Sequence, residues 1–301
     1  MSKATPKPSM LFILGPTASG KSDLAIALAR KMNGEIISVD SRQVYRGMDI
    51  GSGKVTKPEQ KLVRHHLIDI VSPKEEYNVS HFLRHAEAAI LDIRNRGKFP
   101  ILCGGTNFWI EALIFGIPLP SVPPDETFRE KWGAKDAPEL FAYLKRLDPE
   151  RAKTIDKDNK VRLLRALEIA RVLGKVPPLA PGNTRTIANN VTFIGLNPPV
   201  EELSEKIKTR LKARFREGMI DEVKRLYLEG VSFERLESFG LEYRAIALFL
   251  QNKVAREKME ADLLLDSIHY AKRQRSSLRR LERKGITIEW FPNKEAALEN
   301  Y

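Results

Sequence analysis

The sequence predicts an α/β fold, a parallel, doubly wound sheet core with a helical insertion and a helical C-terminal region. Three observations predict it. The apolar run Met10-Leu11-Phe12-Ile13-Leu14 leads into Gly15-Pro16-Thr17-Ala18-Ser19-Gly20-Lys21-Ser22 and then into an amphipathic stretch, Asp23 to Met32. Apolar runs and helical patterns alternate through the first third of the chain. Proline-rich breakers at 118–124 and 177–182 enclose a stretch with helical periodicity only.

Taken in order, the first strand covers 10–14 and the first helix 21–32, stopped by Asn33-Gly34, a favourable helix C-terminus. Glu35 to Val39 reads as the second strand and ends at Asp40-Ser41. A loop from Arg42 to His65 precedes a short strand expected at Leu67-Ile68-Asp69-Ile70. Val79 to Arg96 is a helix capped by Asn78 or Ser80, and Phe99 to Cys103 a buried strand ending in Gly104-Gly105. Helices follow at Asp125–Trp132, Ala137–Leu147 and Lys160–Leu173, and a strand returns at Val191–Leu196. The rest is helical, at Val200–Glu217, Met219–Glu229, Tyr243–Leu250 and Glu257 to about Lys284, with a last strand at Ile286–Phe291. The predicted organisation is a disordered arm at 1–9, a core from 10–118 and 188–301, and a helical insertion domain at 119–187.

The chain has 301 residues and a formal net charge of +12, an excess that suggests a polyanionic partner. One cysteine, Cys103, excludes an intramolecular disulfide and a cysteine-rich zinc module. Its apolar setting reads as buried strand, not as a nucleophile. No run reaches the roughly 18 apolar residues of a membrane span, and the polar N-terminus lacks a signal-peptide core. The cytoplasm is the expected location.

Residues 15–22 spell G-x-x-x-x-G-K-[ST] between a strand and a helix, a P-loop in its proper context. Backbone N–H groups of such a loop, at the positive end of a helix, cradle a phosphate chain. Lys21 would add a point charge, and the Ser22 hydroxyl would reach a bound Mg²⁺. The core is therefore expected to be P-loop NTPase-like. Ligands of parallel sheets bind beyond the carboxyl ends of the strands, and two further polar motifs sit at such ends, Asp40-Ser41 and Gly104-Gly105-Thr106. Asp40 reads either as a Mg²⁺ ligand or as a general base. A nucleotide hydrolase of this type carries a magnesium-binding Asp at the end of an apolar strand. Here Ile101-Leu102 ends in Cys103-Gly104-Gly105. That weakens the hydrolase reading and favours a small-molecule kinase, or an enzyme that uses the loop for something other than a nucleotide γ-phosphate.

A second cluster is basic. Between Tyr270 and Lys284 stand Lys272, Arg273, Arg275, Arg279, Arg280, Arg283 and Lys284 against one acid, Glu282. Such a helix can neutralise several phosphates. Arg162, Arg165, Arg210 and Arg214 are further candidates. The histidines show no metal spacing, and Trp109, Trp132 and Trp290 read as packing residues.

These residues resemble the bacterial tRNA dimethylallyltransferases (IPP transferase family). The resemblance rests on 15–22, on Asp40-Ser41-Arg42-Gln43-Val44-Tyr45-Arg46-Gly47-Met48-Asp49-Ile50-Gly51 and on His66-Leu67-Ile68-Asp69. Gly104-Gly105-Thr106, Arg165-Ala166-Leu167-Glu168 and Tyr270-Ala271-Lys272-Arg273-Gln274 extend it over nearly the whole chain. It implies that the loop Gly15 to Ser22 holds dimethylallyl diphosphate, with Mg²⁺ on Ser22. It implies that Asp40 takes a proton from the N6 amine of adenine 37, assisted by Thr106, in tRNAs reading codons that begin with U. It further implies tRNA contacts, to the anticodon stem-loop, from Asp40, Ser41, Arg42, Gln43, Thr106, Arg129, Arg162, Arg165, Lys272, Arg273, Gln274, Arg275 and Arg279. The expected protein is a monomer with no membrane association. A prenyltransferase acting on free adenine nucleotides, an adenylate isopentenyltransferase, stays open beside the kinase. The chain departs from the family's usual Gly-Thr-Ala-Lys at Gly51-Ser52-Gly53-Lys54, from Thr-Trp-Phe at Ser276-Ser277-Leu278, from Gln at Val161, and from Gly-Tyr at Gly240 to Tyr243. These positions bear on tRNA contacts and leave the reacting centre intact.

Overall fold

The computed structural model of the protein describes residues 8–178 and 190–301. The strands are β1 (Met10–Leu14), β2 (Gly34–Val39), β3 (His65–His66), β4 (Phe99–Gly104), β5 (Val191–Leu196) and β6 (Glu289–Phe291). They form one parallel sheet in the order β3-β2-β4-β1-β5-β6. The helices before the insertion are α1 (Lys21–Lys31), α2 (Lys57–Leu62), α3 (Val79–Asn95) and α4 (Asn107–Phe115). Then come α5 (Glu126–Gly133), α6 (Ala137–Leu147), α7 (Pro149–Ala152) and α8 (Lys160–Leu173). After β5 follow α9 (Val200–Arg216), α10 (Met219–Leu228), α11 (Phe233–Ser238), α12 (Leu241–Leu250), α13 (Arg256–Arg283) and, after β6, α14 (Lys294–Asn300).

Side chains alternate across a strand, and the central strands are apolar on both faces. Leu11, Ile13, Ile36, Ile101 and Ile194 pack with Leu24, Leu28 and Ala297 on one face. Met10, Phe12, Leu14, Ile37, Leu102 and Phe193 pack on the other with Phe82, Trp109, Met219 and Tyr243. Burial on both faces is why these strands read as continuous apolar runs. Because β4 lies between β2 and β1, the three strand ends that carry polar motifs are neighbours on one edge.

The short strand expected at Leu67–Ile70 is not there. Pairing with β2 occupies His65 and His66 instead. Leu67 and Asp69 adopt left-handed backbone, with φ of 60° and 57°, which breaks extended structure. The Asp69 carboxylate is turned to Lys54 and Lys57, at 2.5 and 2.7 Å. The expected loop from Arg42 to His65 contains α2, whose Thr56-x-x-Glu59 capping box was present in the sequence. Asn78 is the cap of α3, accepting from the N–H groups of Ser80 and His81. Of the arm expected at 1–9, residues 1–7 lie outside the described residues, as does most of the second proline-rich breaker, while the Ser9 N–H donates to the Asn190 carbonyl at 2.6 Å.

The chain divides into two compact units, Met1–Phe115 with Thr186–Tyr301, and Gly116–Arg185. The second has its own core of Phe128, Leu140, Leu144, Leu163 and Leu167. No described helix is long and apolar enough to cross a membrane.

At the amino end of β2, Glu35 is buried and accepts hydrogen bonds from Arg96 at 2.5 and 2.7 Å, with His66 Nε2 at 2.7 Å. The Arg96 hydrogen bonds, against the cost of burial and with help from His66, pull its carboxyl down from 4.5 to about 2. A carboxyl displaced this far contributes about 3 kcal/mol, fully present above pH 4.5 and lost as the pH falls towards 2. Denaturant midpoints measured against pH should fall over that window, and Glu35→Gln should flatten this part of the profile.

Candidate active site

The rim above β2, β4 and β1 holds a cavity of about 230 Å³ whose walls include Thr17, Lys21, Asp40, Thr106, Arg210 and Gln274. A smaller cavity of about 70 Å³ shares Thr17, Lys21, Asp40 and Arg210 and adds Ser22. Local structure brings each group there. The loop Gly15 to Ser22 joins β1 to α1, with Ala18 and Gly20 in left-handed conformations (φ 62° and 88°). Lys21 Nζ donates to the Pro16 carbonyl at 3.0 Å. Burial pushes its pKa down; Cys103 and Asp40 oppose the shift, and Arg210 adds to it. The Ser19 hydroxyl is buried with no hydrogen-bond partner among the described residues. On α9, Arg210 donates to the Thr17 hydroxyl, and burial lowers it to about 10. The loop is thus flanked by two cations.

Asp40 ends β2. Its Oδ1 accepts from the N–H groups of Arg42 at 2.8 Å and Gln43 at 3.3 Å, an Asx turn that fixes the side chain. No hydrogen bond from a described residue reaches Oδ2. Thr106 Oγ1 accepts from the Ser41 N–H at 3.0 Å, so its own hydroxyl proton is free to be donated elsewhere. Gln43 is tied to Ser38 at 3.1 Å and to the Gly53 carbonyl at 3.4 Å. Arg42 lies over the Phe239 ring at 5.6 Å, and Arg235 lies over the same ring at 4.6 Å. Cys103 is buried strand, its thiol pushed up to about 12 by burial.

The remaining expected contacts divide by their partners. Lys272, Arg273 and Arg279 are exposed on α13. Arg275 donates to the Pro198 carbonyl, and Gln274 is buried at 3% exposure. Arg280 and Lys284 are both paired with the buried Glu111, whose single carboxylate offsets one positive charge of the apparent basic run. In the helical unit, Arg129 and Arg165 both bind Glu168, at 2.6 and 3.0 Å. Arg162 is exposed in the first turn of α8.

Two features escaped sequence reasoning. A Cβ on Gly53 (φ +59°) would collide with the Arg214 guanidinium, which is buried and paired with Glu242 at 3.0 Å. The departures at Gly53 and Glu242 are therefore one structural feature. The second is Glu222 on α10, whose buried carboxylate accepts from the N–H groups of Asp49, Ile50 and Gly51 at 2.8, 2.7 and 3.0 Å. It also accepts from the Tyr243 hydroxyl at 2.9 Å. No local pattern announces a carboxylate that caps a loop more than 170 residues away. Glu222→Ala leaves four donors without their acceptor and is expected to cost about 3 kcal/mol in denaturant unfolding.

Residues 43–281 match the family described as IPP transferase, and residues 8–72 match Isopentenyl transferase. The chain is 42% identical to tRNA dimethylallyltransferase 2 of Treponema denticola over 94% of its own length and 96% of the relative's. It is 42% identical to tRNA dimethylallyltransferase 1 of Geotalea uraniireducens, over 96% and 95%. The fold is similar to a crystal structure of the tRNA isopentenylpyrophosphate transferase of Bacillus halodurans, with a TM-score of 0.68, 35% identity and coverage of 95% and 90%. It is also similar to a eukaryotic dimethylallyltransferase acting on tRNA, with a TM-score of 0.73, 25% identity and coverage of 93% and 73%. A P-loop, an aspartate and a threonine converge on one sheet edge here, and the likeness runs over almost the entire chain; the protein belongs to the IPP transferase family of tRNA dimethylallyltransferases.

Proposed function

We propose that the protein transfers a dimethylallyl group from dimethylallyl diphosphate to N6 of adenine 37 in tRNAs reading codons that begin with U, releasing diphosphate. The observation that carries this reading is the pair of cavities whose shared walls hold both Lys21 and Asp40. A phosphate-holding loop and a proton-accepting carboxylate face one space. In the reaction the N6–C1 bond forms as the C1–O bond to diphosphate breaks, and the N6 proton passes to Asp40. Adenine N6 is a poor nucleophile because its lone pair is delocalised into the ring, so proton removal matters. Thr106, whose Oγ1 accepts from the Ser41 N–H and which lines the same cavity as Asp40, would assist by donating its hydroxyl proton. Lys21, Arg210 and the loop amides stabilise the charge that develops on the leaving diphosphate. The target base must leave the anticodon stack, as base-modifying enzymes require, and the exposed cations of α13 are suited to the RNA backbone on either side.

No group of three or more His, Cys, Asp or Glu among the described residues could hold a metal alone. Mg²⁺ commonly keeps waters and binds substrate phosphates with few protein ligands, and Ser22, on the wall of the smaller cavity, fits that mode. Bound there, Mg²⁺ would add positive charge to the diphosphate. The reading further holds that the protein works as a monomer in the cytoplasm. The test is incubation with labelled dimethylallyl diphosphate and unmodified tRNA, followed by nucleoside mapping. Label at adenine 37 is expected. Label on AMP but not on tRNA, or ADP formed from ATP with a small acceptor, would overturn it.

A further inference from the structure

Gln274 lies on α13 between Arg273 and Arg275, yet it faces inward. Its Oε1 accepts from the Thr17 N–H at 2.7 Å, and its Nε2 donates to the Gly105 carbonyl at 3.0 Å. One partner can only donate and the other only accept, so a primary amide in this orientation satisfies both. The side chain thereby joins two loops that are otherwise separate. Thr17 belongs to the diphosphate loop, and Gly105 immediately precedes Thr106.

Gly105 shows how closely the amide is seated. Its backbone is outside the left-handed region, yet a Cβ there would collide with Gln274 Nε2. Gln274 Cδ and Lys21 Cε would stand at an ordinary 3.5 and 3.8 Å. A side chain at 105 would therefore displace the Gln274 amide from its place between the two loops.

We propose that Gln274 is a positioning residue for group transfer. It holds the diphosphate loop against the Gly105-Thr106 turn, so the phosphate-binding amides and the Asp40–Thr106 pair keep one spacing, and it does not read RNA. The outer face of the same helix presents Lys272, Arg273 and Arg279. RNA seated on α13 therefore bears on the element that fixes the donor loop. The proposal rests on the prenyl-transfer reading.

The test uses the full chain with Gln274→Ala, Gly105→Ala and the double variant; Gln274→Met, closer to glutamine in volume, serves if the alanine variant does not fold. Initial rates against dimethylallyl diphosphate at saturating tRNA, tRNA Kd by filter binding without donor, and Tm are measured. Gln274→Ala should lower kcat/KM for the donor about tenfold to a hundredfold, the scale of a small misplacement of reacting groups. Its tRNA Kd should stay within about twofold, because the phosphate contacts that govern RNA affinity are untouched, and its Tm should fall by a few degrees, because the Thr17 N–H and the Gly105 carbonyl lose their partner. Gly105→Ala should show a similar loss, and the double variant should be no worse than Gln274→Ala, since the colliding group is gone. A weakened tRNA Kd with unchanged donor kinetics would overturn the proposal, as would losses that multiply in the double variant. If the parent chain binds tRNA but transfers no prenyl group, the underlying reading fails, and the proposal fails with it.

Discussion

Asp40→Asn should lower the single-turnover rate of prenyl transfer by about 10²–10⁴-fold, the usual worth of a positioned general base. Asparagine is chosen because it isolates the chemistry. Its Oδ1 can still accept from the Arg42 and Gln43 N–H groups that bind Asp40 at 2.8 and 3.3 Å, so the turn at the end of β2 survives. What is lost is an oxygen able to take a proton. Asp40→Ala would remove the turn's acceptor as well and mix a local unfolding cost with a catalytic one. Filter binding should give a tRNA Kd no more than about twofold weaker than the parent's, since the change removes one negative charge from an otherwise intact rim and the phosphate contacts are elsewhere. A transfer rate unchanged in Asp40→Asn would remove the base assignment and leave Asp40 as a turn residue.

That assignment began from spacing in the sequence, and the limits of such reading are instructive. The strands at 10–14, 34–39, 99–104 and 191–196 were legible because burial on both faces makes each a short apolar run bounded by turn residues. The common rim followed, because parallel strands put their carboxyl ends on one edge. Helix α4 was not foreseen. Trp109 to Ile114 are all buried, so the segment lacks the polar face that gives amphipathic helices their signature. Leu67–Ile70 looked like a strand by composition, but Lys54, 13 residues before Leu67 in sequence, holds Asp69 in a left-handed turn. Side-chain direction was the least legible property. Seven cations in 15 residues suggested one basic surface, whereas Arg280 and Lys284 are spent on Glu111 and Arg275 on a carbonyl. Gln274 stands inside a basic motif and points inward to the Thr17 and Gly105 loops. Arg129 and Arg165 likewise share Glu168. Apart from the Arg165–Glu168 pair, which is three residues apart on one helix, these depend on partners distant in sequence, which no window of local pattern contains.

Lys21→Met should lower kcat/KM for dimethylallyl diphosphate by about 10²–10³-fold, comparable to the loss of one donor that stabilises a developing anion. The lysine is held among buried groups, and burial lowers its pKa, so its surroundings solvate charge poorly. In such a site a cation interacts more strongly with a departing diphosphate than it would in water. Its one acceptor among the described residues, the Pro16 carbonyl, leaves further ammonium protons for phosphate oxygens. The kinetic split decides how the charge is used. If Lys21 acts mainly on the transition state, kcat and kcat/KM fall together; if it serves uniform binding, KM rises while kcat is kept. We expect the first pattern, because negative charge on the bridging oxygen grows as the C1–O bond breaks. Lys21→Arg should not restore the rate. Arg210 already donates to the Thr17 hydroxyl beside the loop, and a second planar guanidinium would crowd the space in which a compact ammonium fits. A Lys21→Met enzyme with parental kcat/KM would show that the loop binds its ligand through backbone amides alone.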